Sequence, residues 1–213
     1  MAATKGGMMS ELREGRKTET RAARIMDELS MRLREDRRER GPRTADAAWV
    51  DHPLDDWLEV LRDGKQLPEA SMMALAVGMD QTLAIRDALI VSIVTGAAGL
   101  DKEVLMGFAS RPHAPEVCDR MGRMLTEAFT DEHGGVDGAR CRAAVAALER
   151  MVAAVPERYR VQPLTIIAYV LWWLGDRRAP SYALQALAID AGCSLAAIVL
   201  GALRRGAYPV WLR

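Results

Sequence analysis

The segment VQPLTIIAYVLWWL, residues 161–174, holds no charged side chain, and this run constrains the fold more than any other feature of the chain. A membrane-spanning helix needs roughly 20 apolar residues, which neither this run nor the uncharged stretch at 88–100 reaches. Neither shows the apolar-polar alternation of a half-buried strand. Both are expected as buried helices that the rest of the chain must enclose, so the fold expected is all-α, a compact multi-helix domain.

Composition agrees with this. Half of the 213 residues are hydrophobic but only 5% are aromatic, so Ala, Leu, Val and Met far outnumber the aromatics, and a composition rich in helix formers tilts the expectation toward α. The length suits one core with an appended arm. Formal charge balances to zero, which leaves no global field to draw the chain to nucleic acid or an acidic membrane. Cys118, Cys141 and Cys193 are odd in number and far apart, unlike a disulfide framework. Met1 to Ser10 passes directly into charge, unlike an export signal. A cytoplasmic protein with no membrane partner is expected.

Two regions follow from the charge pattern. Residues 1–45 read as a charged helical arm and linker, and 46–213 as the α-helical domain. From Ser10 to Arg40, Ala22, Ile25, Met26, Leu29 and Leu33 recur every three or four residues between charges, the pattern of an amphipathic helix with a narrow apolar stripe. Gly41-Pro42 is expected to end it, with a linker to about Asp51. A new helix is expected to open at Pro53 and stop at Gly64, placing Trp57, Leu58 and Leu61 on one face. Further helices are expected over Pro68–Gly78, Asp80–Ile93, Asp101–Phe108, Pro115–Phe129 and Asp137–Val155. The last three span Pro163–Leu174, Ala179–Asp190 and Ser194–Arg205, and HGGVDG reads as a loop.

The end of the chain carries two resemblances. In PLTIIAYVLWWLGDRRAPSYALQALAID, a bulky helix stops at Gly175-Asp176 and a second, with Ala179, Ala183 and Ala186 at spacings that allow close approach, folds back on it. This resembles a tetratricopeptide hairpin, with Ala191 where proline is usual. The segments PLTIIAYVLWWLGD, YALQALAIDAGCSLAAIVLGAL and GAYPVW, with the pair Arg86-Asp87, also resemble the C-terminal half of an actinobacterial family, the domain of unknown function numbered 4192. That resemblance spans roughly Leu67 to Trp211 and implies a helical domain without implying an activity.

Little chemistry is legible. His113, Cys118, His133 and Cys141 are ligand types for zinc, but their spacing matches no compact metal motif, so no metal site is assigned. Asp51, His52, Asp55 and Asp56 lie together beside Trp49 and Trp57. They suit either acid-base work in a pocket or plain helix capping, and no catalytic residue is assigned. HGGVDG lacks the lysine and the preceding strand of a phosphate-binding loop, and no cofactor is expected.

The reading that remains is a helical protein-interaction or assembly module. Its partner, another protein or a second copy, is expected to dock on Ile25, Met26, Leu29 and Leu33 of the arm, with Arg177, Arg178 and Tyr182 as a second surface. The alternative is phosphate-backbone contact through Arg32, Arg34, Arg37, Arg38 and Arg40, which the eight acidic residues interleaved among ten basic ones between Ser10 and Arg40 oppose.

Overall fold

The computed structural model describes residues 4–96, 101–132 and 135–212, with side chains from Arg21 onward. Among these residues the chain forms ten α-helices and no strand. They are α1 (Thr4–Arg40), α2 (Pro42–Asp63), α3 (Glu69–Gln81), α4 (Leu83–Val94) and α5 (Lys102–Ser110). There follow α6 (Pro115–Thr130), α7 (Gly138–Ala154), α8 (Val161–Trp173), α9 (Ala179–Ile189) and α10 (Ser194–Arg204). A 3-10 turn at Glu157–Arg160 leads into α8, and another at Val210–Leu212 follows α10. No described helix is long and apolar enough to cross a membrane.

The uncharged run takes the central position. α8 buries Leu164, Ile166, Ile167, Val170, Leu171, Trp172 and Trp173, on every side of the helix. The helices α3, α4, α7, α9 and α10 all pack on it. α4 is likewise buried nearly all round, from Ala84 to Val94. α8 ends in a Schellman motif: the Asp176 amide donates to the Leu171 carbonyl at 2.8 Å, and the Gly175 amide to Trp172 at 3.0 Å. Gly175, at φ +65°, supplies the left-handed residue this motif needs. α9 then lies against α8 through the buried small residues Ala179, Ala183 and Ala186.

Two expected boundaries are corrected. There is no linker from 43 to 51, because α2 starts at Pro42 and runs through Pro53 to Asp63. Its buried positions Ala45, Asp46, Val50, Leu54, Trp57, Leu58 and Leu61 keep one helical face on both sides of the proline. Burial of that continuous stripe outweighs the single backbone hydrogen bond that Pro53 removes. α3 also runs past Gly78 to Gln81. Gly78 is buried because helices meet there: a Cβ would stand 2.9 Å from Ile85 Cδ1 and 3.2 Å from Trp49 Nε1. It is a point of close approach, and it does not stop the helix.

Candidate functional site

The apolar stripe of α1 is occupied by the chain itself. Met26 and Leu33 are fully buried in the same core cluster as α2, α3, α4 and α8, and Ile25 and Leu29 pack against it. Polar contacts fasten this docking. Arg37 Nε lies 3.2 Å from the buried Asp46 carboxylate on α2. Gln81 of α3 donates to the Ser30 carbonyl at 2.7 Å and to its hydroxyl at 2.9 Å. On the opposite flank the Tyr159 hydroxyl donates to the Met26 carbonyl at 3.2 Å, while Arg158 pairs with Asp27. Burial outweighs the nearby Arg37 and holds the Asp46 carboxyl above its ordinary range. The expectation that Ile25, Met26, Leu29 and Leu33 face a partner is therefore corrected: from residue 21 onward the helix is a wall of the domain. An isolated helix gains little in water, and the nearest apolar surface available to this one was its own.

Two of the three residues of the second expected surface make contacts within the chain. Arg178 is bound to Asp176 at 2.9 Å and stands 4.0 Å from Glu149 of α7, whose carboxylate accepts the Tyr182 hydroxyl at 2.5 Å. The Arg178 side chain holds the Asp176 carboxyl below its usual range. Arg177 is exposed. Arg178 and Tyr182 thus join α9 to α7, with the Arg178 side chain 58% exposed and Tyr182 half-buried.

The acidic cluster on α2 does not converge on one point. Lys102 of α5 bridges Asp51 and Asp55 at 2.7 Å each. Asp56 turns to the Ser71 hydroxyl of α3, and His52 is 82% exposed with its Nε2 3.9 Å from Asp56. These contacts join α2 to α5 and to α3. Of the zinc-type residues, Cys141 is buried, and burial pushes its thiol up to about 11, while Cys118 is exposed. His133 lies outside the described residues. Among the described residues no three His, Cys, Asp or Glu side chains gather as metal ligands.

Exposed large apolar side chains remain on several helices, Met31 of α1 at 57% and Leu83 of α4 at 46% among them, and several clefts open at the surface. Ile198 of α10 is 56% exposed, as is Leu184 of α9. On α10, Ser194, Ala197 and Ile198 face solvent between an exposed Asp190 just before the helix and exposed Arg204 and Arg205 at its end. The buried side of α10 consists of Ala196, Val199 and Ala202. The signal missed was an isoleucine on the opposite side of an otherwise regular stripe. A cavity of about 390 Å³ lies where the α3–α4 junction, the start of α8 and the α9–α10 turn meet, and the buried Arg86 lines it.

No family model matches the chain, and no curated protein or solved structure is significantly similar to it.

Proposed function

We propose that this chain is a helical assembly module that pairs with a second copy of itself through the outer face of α10. The observation that carries the reading is the exposed Ile198, set among the short side chains Ser194 and Ala197 with opposite charges at the two ends of the helix. Aligned antiparallel about a two-fold axis, two such helices bring Asp190 of each copy near Arg204 and Arg205 of the other and oppose their helix dipoles. Parallel pairing would set like charges together, so the charge order selects the antiparallel arrangement. Eleven residues span about 16 Å, a small interface of the kind found in weak, transient contacts. The tetratricopeptide-like α8–α9 pair and the likeness to the actinobacterial family belong to the same proposal, since both describe scaffolds without chemistry.

Light-scattering mass across a concentration series tests it. The full chain should rise from the 23.4 kDa of a monomer toward twice that mass, and Ile198→Glu should remain monomeric. A monomeric full chain at every concentration would end the proposal.

One observation favours a second reading. Arg32, Arg34, Arg38 and Arg40 are exposed, so a phosphate backbone has donors to meet there. A mobility shift at low salt tests it, and no retardation there would dismiss it.

A further inference from the structure

The cavity at the α3–α4 junction is a site of a different kind, although Asp190 and Ser194 belong both to its lining and to the face proposed for pairing. Arg86, whose side chain is only 9% exposed, is part of its lining. Asp87 accepts from Arg86 Nε at 2.9 Å and from Nη2 at 2.7 Å, and Gln162 Oε1 accepts from Nη1 at 3.3 Å. A guanidinium has five N–H donors and does not lose its charge, so these three contacts leave donors over in a residue that lines the cavity. The same contacts hold the planar group in one orientation, as recognition of an oxyanion requires.

The walls narrow the ligand class. Leu83, 46% exposed, stands at the mouth with Ile189, and Val161 lines the interior, so an apolar stem has somewhere to lie. Asp80 and Asp190 also line the cavity and offset the charges of Arg86 and of Arg158, the second guanidinium of the lining, so the site carries no excess positive charge for a ligand of high negative charge. α10 starts at the wall, at Ser194, and no side chain caps its first amides. That helix end adds a favourable field to a site that the buried arginine already defines.

We infer that this cavity binds a small organic carboxylate monoanion, with the carboxylate on Arg86 and the organic part against Leu83 and Ile189. Arg86 is the positioning charge, Gln162 holds it from the α8 side, and Asp80 and Asp190 offset the positive charge of the lining. The Arg86-Asp87 pair noted in the sequence thereby has a role that packing alone does not require.

The test is a proton-nitrogen NMR titration of the full chain with benzoate, phenyl phosphate and benzyl alcohol as separate probes. Benzoate should shift the Arg86 side-chain signal and the Ser194 amide saturably in the millimolar range, and more tightly than phenyl phosphate. Benzyl alcohol should leave both unmoved. Gln162→Glu keeps the shape and an oxygen for Arg86 but adds a third carboxylate to the lining, beside Arg86 itself, and should weaken benzoate by about tenfold or more. Asp80→Asn should tighten it several-fold, an outcome that a merely structural role for these residues would not produce. The inference is overturned if benzoate gives no saturable shift at these positions, if phenyl phosphate binds tighter, or if benzyl alcohol binds equally well.

Discussion

Replacing Leu33 with alanine separates a docked α1 from a free one. Leu33 is fully buried in the cluster that includes α2, α3, α4 and α8, so Leu33→Ala removes apolar area and opens a cavity where α1 meets them. Such changes cost about 2–5 kcal/mol, and a value of about 3 is expected here. In a domain of this size that lowers Tm by roughly 6–12 °C. Met31, two residues away on the same helix and 57% exposed, is the internal control, and Met31→Ala should stay within about 0.5 kcal/mol of wild type. Urea unfolding followed by both far-ultraviolet circular dichroism and tryptophan fluorescence reads the difference. The buried Trp57 and Trp173 report the body of the domain, so their transition should move with the helical signal and keep its slope. The reasoning is refuted if Leu33→Ala matches Met31→Ala, or if the circular dichroism signal shifts while the tryptophan transition stays in place.

Other substitutions probe contacts elsewhere in the fold. Ser92→Ala strands the buried Trp57 indole N–H, which donates to the Ser92 hydroxyl at 2.9 Å, and should cost about 1–3 kcal/mol in the same urea assay. Gly175→Ala forces a Cβ into left-handed backbone at the end of α8, and a loss of about 1–2 kcal/mol is expected from thermal unfolding. Asp137 caps α7, accepting from the Ala139 amide at 2.9 Å and the Arg140 amide at 3.0 Å. The Arg140 amide above all holds its carboxyl below the ordinary 3.8. Because the folded state prefers the ionised form, this stabilisation is complete above that value and is lost as pH falls through the lower folded one. Asp137→Ala should therefore cost about 1 kcal/mol at neutral pH and approach wild type in strong acid, as read from urea midpoints across pH.

The helical architecture was legible because its strongest signal is local. A run such as 161–174 can be satisfied only by burial, and the glycine that closes α8 is a turn residue wherever it occurs. The start of α2 was not legible, because Pro53 is a local breaker while the stripe from Ala45 to Leu61 gains its stability from α1, α3 and α5. Gly78 misled for a related reason: a glycine that ends a helix and one that admits a neighbouring indole look alike in sequence. The stripe on α1 was visible, but periodicity records that a face is buried and says nothing of which chain buries it. The cavity was hidden for a different reason. Arg86 and Gln162 lie 76 residues apart, and nothing in either segment announces the other.

Hydrogen exchange on the full chain, at one low and one high protein concentration, tests the central claim most directly. The account predicts strong protection of the α1 amides from Met26 to Arg37 at both concentrations, because that stretch is part of the core. It also predicts that α10 around Ala197 and Ile198 gains protection only at high concentration, as pairing covers it. Fast exchange across residues 26–37 at low concentration, with protection gained there and not on α10 as concentration rises, would contradict the account and return the assembly surface to the N-terminal helix.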